Sequence, residues 1–277
     1  MMVNGKGIAL RIASAQKLEL EDEFEEMESR PSLGVLIIGD DPVSLSYLDK
    51  KEAYGREIGV RVERMEIDPR VPLKEIKSAI YSLAERHQGV IVQLPLPRGA
   101  HADILDCIPM ERDVDALGSR AIDWQTSGNS PILPTVAAAV RAILSEHNVD
   151  VYGKKAVVVG KGKLVGIPVA TWLSRAGAKV TSLSRGADLL IELKEAEIII
   201  SGAGEKGIIT PEMLQKGVVL IDAGTSGTTG GFQGDAVLEC AERCSLFSPV
   251  PGGVGPVTVA MLFQNLLTLT HWQQQHK

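Results

Sequence analysis

A chain of 277 residues, 44% hydrophobic and 23% charged and with no low-complexity tract, is not a disordered protein and is too long for one small core; two domains of roughly 100–200 residues each suit it. The formal net charge of −6 argues against a nucleic-acid partner, since a phosphate backbone needs a basic face. No apolar run approaches the ~18 residues of a membrane span, and the start, "MMVNGKGIALRIASAQKLELEDEF", turns acidic without the apolar core of a signal peptide, so a cytoplasmic protein is expected. The three cysteines, Cys107, Cys240 and Cys244, make no disulfide framework and fit a reducing compartment. Cys240 and Cys244 stand at i, i+4 on an expected helix, but no His or Cys cluster lies nearby and no metal site is expected.

In chain order, residues 7–29 read as an amphipathic helix, "LGVLIIG" (33–39) as a buried strand and 43–58 as a helix. Residues 60–67 alternate as a strand, 72–87 are helical, "GVIVQLPLP" (89–97) is a strand ending in a Pro-rich turn, and 101–107 form a short helix. Residues 125–134, "QTSGNSPILP", have the composition of a linker. A second alternating series begins with the helix at Thr135 and continues through "KKAVVVGKGKLVGIP", the strands "AEIIISGAG" and "GVVLIDAGT", and a Gly/Thr-rich loop at 224–234. It ends in a Gly/Pro loop that runs into a C-terminal helix. Strands alternating with helices predict an α/β fold of mostly parallel sheets.

In "VVVGKGKLVGIP" a strand of small branched residues meets Gly160, Gly162 and Gly166 and then a helix. Glycines there permit a tight turn and close approach of backbone to a pyrophosphate at a helix N-terminus. A site for NAD commonly ends the next strand with an acid that binds the ribose hydroxyls. This strand ends instead in Ser184 and Arg185, and Lys161 and Lys163 lie in the glycine loop. A cationic, carboxylate-free pocket suits the 2′-phosphate of NADP, with NAD as the alternative cofactor.

In "DDPVSLSYLDKKEAYGREIGV", Ser44, Tyr47 and Lys51 fall within a narrow helical arc, and Lys50 points about 100° away from Lys51. Gln93 sits near the carboxyl end of an otherwise apolar strand, where a buried amide needs a partner or a ligand. "ERDVDALG" places Asp113 and Asp115 in a loop, and "SPVPGGVGPVT" is rich enough in Gly and Pro to pack backbone against a ligand.

These pieces, with "VQLPLP", "RDVDA", "IDAG", Gly234-Asp235 and "PVPGGVGPVTVAML" in the same order, resemble the bifunctional methylenetetrahydrofolate dehydrogenase/methenyltetrahydrofolate cyclohydrolase family over nearly the whole chain. The resemblance implies a folate-binding catalytic domain over 1–133, onto which a helix at 256–277 packs back, a Rossmann-like NADP-binding domain over 134–255, and a cleft between them. It implies that Lys51 is the catalytic lysine of the cyclohydrolase step, that Gln93 orients it, that Tyr47 stacks on the folate and that Asp115 pairs with the pterin. Ser44, Pro251, Gly252, Gly253, Gly255, Pro256 and Thr258 would complete the folate site. Val165, Pro168, Gly202, Ala203, Gly204, Asp222, Gly224 and Thr225 would join the glycine loop around the dinucleotide. The resemblance also implies a homodimer, and exposed apolar character in "AEIIISGAG" is read as favouring one.

The chain departs from the family pattern at several places. Arg112 and Ala116 stand for the usual Lys and Gly of "KDVDG", Lys161-Gly162 for Arg-Ser, Ser184-Arg185 for His-Ser, and "LPTV" for "PCTP" with Thr135 kept. Ala53 replaces a frequently basic residue two positions past Lys51. The alternatives are a dehydrogenase without the cyclohydrolase step, a non-catalytic folate- or dinucleotide-binding protein, and an NADP oxidoreductase of unrelated substrate.

Overall fold

The computed structural model describes residues 1–24, 30–39, 41–97, 102–228 and 231–276. In chain order it contains α1 (Gly5–Phe24), β1 (Ser32–Ile38), α2 (Pro42–Ile58), β2 (Arg61–Ile67), α3 (Leu73–Arg86), β3 (Gly89–Val92), α4 (Ser119–Ser127) and α5 (Thr135–Glu146). There follow β4 (Lys155–Val159), α6 (Gly166–Arg175), β5 (Lys179–Leu183), α7 (Leu189–Glu192), β6 (Ile198–Ser201), β7 (Val218–Asp222), β8 (Ser226–Thr228), β9 (Gly231–Gln233), β10 (Cys244–Ser248) and α8 (Val254–Gln275). Two units result, Met1–Leu10 with Val136–Thr258, and Arg11–Thr135 with Val259–Lys277. None of the described helices is long and apolar enough to cross a membrane.

The unit of residues 11–135 and 259–277 holds a parallel sheet in the order β2-β1-β3. The middle strand β1 is buried along its whole length, which accounts for its unbroken apolar sequence; the edge strand β2 is partly exposed throughout. One core layer joins Phe24 of α1, Leu48 and Ile58 of α2 and Phe263, Leu266 and Leu269 of α8 to Leu33, Val35 and Ile37 of β1. The other face of the sheet takes Ile76, Ile80 and Leu83 of α3, a stripe at helical spacing, against Leu36, Val90 and Val92. Each large side chain buried this way contributes about 1.5–3 kcal/mol.

The unit of residues 1–10 and 136–258 holds five parallel strands in the order β10-β7-β6-β4-β5. Residues 1–10 cluster here rather than with the first sheet for a specific reason: the Val3 N–H donates to Phe247 O (2.8 Å) and the Phe247 N–H to Met1 O (2.9 Å), extending the edge at β10. The apolar part of "AEIIISGAG" is not exposed. Its strand β6 lies between β7 and β4 and is buried at every position, so it offers no surface to a second copy. The expected Gly/Thr loop contains the short antiparallel pair β8–β9, with residues 229–230 outside the described part. Cys240 and Cys244 share no helix: Cys240 lies in a 3-10 turn with its Sγ donating to Ile209 O (3.3 Å), and Cys244 opens β10. Sequence patterning also overlooked α4, whose nine residues carry only a short apolar stripe.

Candidate active site

Helical period decides which lysine of the Lys-Lys pair turns towards the core. Leu48 is fully buried in the core and Gly55 is buried one turn beyond, so Lys51, between them at i+3 and i−4, lies on the packed stripe of α2. Lys50 is exposed, with its Nζ 5.0 Å from the centre of the Tyr47 ring. This cation–π contact was not anticipated from the helical wheel. α2 is itself held from behind: Tyr54 donates to Gln16 Oε1 (2.8 Å), and Gln16 Nε2 donates to Ala260 O (2.9 Å).

The partner of Lys51 comes from the sheet. The β1–β3 register pairs Leu36 with Val92, and the next residue, Gln93, donates its backbone N–H to Leu36 O (2.8 Å), so its buried side chain emerges at the carboxyl end of the strand. Lys51 Nζ donates to Gln93 Oε1 at 2.9 Å. Gln93 Nε2 donates to Leu94 O at 2.6 Å, which fixes the amide with its oxygen towards the lysine. The Leu94–Pro95 peptide is cis. Burial depresses the Lys51 pKa below the ordinary lysine value, and the negative charge of Asp115 opposes this. Burial also raises the Tyr47 hydroxyl pKa.

Asp115 stands in a loop held by its neighbour Asp113. The buried Asp113 carboxylate accepts the N–H groups of Ala116 (2.9 Å), Leu117 (3.0 Å) and Gly118 (2.8 Å). Burial pushes Asp113 up to about 7 against those three donors, and the charge of Asp115 adds to the rise. Ala116, where the family pattern has glycine, adopts a left-handed φ of 55°, a conformation that glycine takes without strain.

Two further residues hold this loop and were not among the expected site residues. Thr135 Oγ1 donates to Asp115 Oδ1 (2.8 Å), fixing that carboxylate oxygen. Asn265 of α8 donates both amide hydrogens, to Val114 O and Leu133 O, each at 2.8 Å, tying the two segments that carry Asp115 and Thr135. Asn265 did carry a signal: it is an amide within the apolar run "MLFQNLLTL", the same anomaly that exposed Gln93.

Tyr47, Lys51, Gln93 and Asp115 thus belong to one unit. Ser44 lies in the first turn of α2, and its side chain is outside the described part. Pro251, Gly252, Gly253, Gly255, Pro256 and Thr258 belong to the other unit. There Gly252 O accepts the Gly5 N–H (3.0 Å), and Gly253 packs so closely that a Cβ on it would fall 2.1 Å from Ser248 Oγ. Thr258 Oγ1 donates to Val254 O (3.1 Å), within the first turn of α8.

The dinucleotide candidates gather at one end of the five-stranded sheet. Val159 pairs with Leu183 and with Ser201, and Ser201 with Asp222, so the loops that follow these four strands begin side by side. β4 has β5 on one flank and β6 on the other, the reversal of strand order at which open α/β sheets bind ligands. Gly160 takes φ 102°, and a Cβ on Gly166 would fall 2.1 Å from Gly160 O, so both glycines are demanded by the turn itself. Val165 caps α6 without a side-chain hydrogen bond, and Pro168 is buried in the first turn. Lys161, Lys163, Ser184 and Arg185 are exposed. Those three cations pair with no carboxylate among the described residues, which fits a dinucleotide bearing an additional phosphate. Asp222 is different: its carboxylate points inward and accepts the N–H groups of Gly224 (3.0 Å) and Ala236 (2.9 Å), so it supports the loop rather than facing a ligand.

Gly162 provides a direct check on the cofactor loop. Nothing lies within 4 Å of where its Cβ would be, and its φ is not in the left-handed region, so the fold alone does not require glycine there. Gly162→Ala is expected to leave stability within about 0.5 kcal/mol and to weaken dinucleotide binding at least about 5-fold, because the close backbone approach is lost. Calorimetric titration beside thermal melts tests this; unchanged affinity would mean that no ligand reaches this backbone.

The catalytic-domain model of tetrahydrofolate dehydrogenase/cyclohydrolase matches residues 3–115, and the model of its NAD(P)-binding domain matches residues 134–274. The bifunctional protein FolD of Heliobacterium modesticaldum is 35% identical over 275 residues, 96% of this chain and 94% of that one. That of Lactococcus lactis is 34% identical over 269 residues, 95% and 94% of the two chains. Among solved structures, the Campylobacter jejuni bifunctional FolD superposes with a TM-score of 0.93 at 30% identity, over 99% of both chains. The Trypanosoma brucei enzyme, complexed with NADP cofactor and inhibitor, gives 0.93 at 30% identity over 99% and 98%.

Proposed function

Because this chain belongs to the tetrahydrofolate dehydrogenase/cyclohydrolase family, we propose that NADP is its dinucleotide and that Lys51, Gln93, Tyr47 and Asp115 carry its folate chemistry. The protein is a bifunctional enzyme of one-carbon folate metabolism. It oxidises 5,10-methylenetetrahydrofolate to the methenyl form and hydrolyses that to 10-formyltetrahydrofolate. Bound at the glycine loop, NADP supplies the hydride acceptor. Gly160, Gly162 and the N-terminus of α6 would receive its pyrophosphate, and Arg185 with Lys161 or Lys163 its 2′-phosphate.

The observation that carries the catalytic assignment is the partly buried Lys51, hydrogen-bonded to an amide oxygen and, among the described residues, to no carboxylate. A lysine whose pKa is lowered by burial is available as a neutral amine. With one N–H donated to Gln93, its lone pair remains free to take a proton from water as the oxygen adds to the methenyl carbon. The C–N5 bond then breaks as the added hydroxyl gives up its proton to water and becomes the formyl C=O; N5 takes up the proton held by Lys51, and the formyl group stays on N10. Asp115, with one oxygen fixed by Thr135, has its other oxygen for the N–H edge of the pterin, and Tyr47 offers an aromatic face to the ring. Self-association as a homodimer is inferred from the family resemblance alone.

The test is a spectrophotometric assay with 5,10-methylenetetrahydrofolate and either NADP or NAD, following reduced nicotinamide and methenyl together. Nicotinamide reduction is expected with NADP favoured at least about 10-fold, the scale of one good phosphate contact. After spontaneous hydrolysis is subtracted, no lasting methenyl should accumulate. Methenyl build-up would leave only a dehydrogenase, preference for NAD would overturn the phosphate site, and no reduction would leave a binding protein. Sedimentation of the same preparation at micromolar concentration should give a dimer, and a monomer would refute that part.

A further inference from the structure

Asp235 is fully buried, yet its carboxylate is given over to one loop. Oδ2 accepts the Ser201 hydroxyl (2.6 Å) and the Ala203 N–H (2.8 Å), and Oδ1 accepts the Glu205 N–H (2.8 Å). Turning the N–H groups of residues 203 and 205 inward leaves Gly204 between them, exposed and at φ 66°. The loop after β7 is fastened from the same place. Asp222 accepts the Ala236 N–H, one residue past Asp235. A Cβ on Gly224 would fall 2.1 Å from the Asp235 carboxyl carbon, and a Cβ on Gly234 would fall 2.1 Å from Asp222 Oδ2. Each glycine is therefore imposed by the carboxylate of the opposite loop. The support is itself anchored, since Ile209 N donates to Asp235 O (3.0 Å) and Val237 N to Ile209 O (3.0 Å).

A buried carboxylate is costly unless hydrogen-bonded, and apolar packing would hold a loop that had no other task. We propose that Asp235 is a positioning residue for the dinucleotide, its carboxylate setting the backbone of Gly202–Glu205 in the shape that receives the cofactor and locking it to the loop at Asp222–Gly224. This rests on the reading that the loop after β6 meets the dinucleotide. Asp235 touches neither the folate nor the reacting atoms.

Asp235→Asn replaces one acceptor oxygen by an NH2 facing a set of three donors, so at least one bond becomes a donor–donor contact. Loss of a charge-assisted bond of this kind corresponds to about a 10-fold effect or more. At a temperature where circular dichroism shows the variant folded, Kd and KM for NADP are expected to rise at least about 10-fold. At saturating NADP, kcat should stay within about 3-fold, and methenyl hydrolysis without dinucleotide within about 2-fold. A residue that served only stability would leave KM untouched in the folded variant, and that result overturns the proposal. Ala203→Glu separates the two layers: it puts a carboxylate in the loop while keeping the backbone bond to Asp235. If Ala203→Glu raises KM and Asp235→Asn does not, Asp235 has no positioning role although the loop is a cofactor loop. If neither raises it, the loop assignment itself fails. Should Asp235→Asn not fold, Ser201→Ala removes one donor alone. A rise of about 3-fold in KM is then expected, and no rise overturns the proposal.

Discussion

Lys51→Ala is expected to lower methenyl hydrolysis by about 10³-fold, while Lys50→Ala leaves it within about 3-fold. A positioned general base contributes on the order of 10²–10⁴-fold, and of the two lysines only Lys51 is partly buried and bonded to Gln93. Lys50 is exposed and rests against the Tyr47 ring, so its loss should appear as a small change in folate KM, not in kcat. Lys51→Arg distinguishes a base from a mere positive charge. Arginine keeps the charge but stays protonated at every working pH, so it should be nearly as inactive as alanine. Steady-state assays on methenyltetrahydrofolate decide the matter, and equal losses from Lys50 and Lys51 would defeat the assignment.

Gln93→Glu should move the alkaline requirement of the same step upward. A carboxylate 2.9 Å from the ammonium, where the amide oxygen now sits, favours the charged lysine and raises its pKa. The base is then available only at higher pH: a shift of about one unit lowers the rate at pH 7 by about 10-fold, with recovery as pH rises through the new value. The wild-type enzyme, whose Lys51 pKa is depressed by burial, should hold its rate to lower pH than the variant. pH–rate profiles of both enzymes test this, and a variant profile that is unmoved or displaced to lower pH would show that Lys51 is not the titrating group.

Much of this candidate site's geometry was legible in the sequence because local periodicity carries it. The i, i+4 spacing of Tyr47 and Lys51, the apolar run that isolates Gln93, and the glycines after β4 each report on a few adjacent residues. What escaped is mostly non-local. No spacing rule links Asn265 to Leu133, or Asp235 to Ser201, because those bonds depend on which segments the topology brings together. Asp222 came from the family resemblance, and the bonds that turn its carboxylate inward, from the Gly224 and Ala236 N–H groups, are not visible in the motif. Cys240 and Cys244 failed differently, since a helical spacing across a 3-10 turn and a strand is a coincidence of numbering.

The loop that presents Asp115 is tied by Asn265 of α8, 151 positions beyond the Val114 carbonyl that it bonds. The unit that contains it draws its core partly from Phe263, Leu266 and Leu269 of the same helix. On the ribosome, residues 11–135 therefore emerge without the helix that completes their core. The strand-and-helix series from Val136 to Thr258 follows with its own N-terminal piece, residues 1–10, already made. Since domains generally fold as units during synthesis, the dinucleotide half has all its residues first. The half that carries Lys51 was begun earlier, but it can close only once α8 has been made.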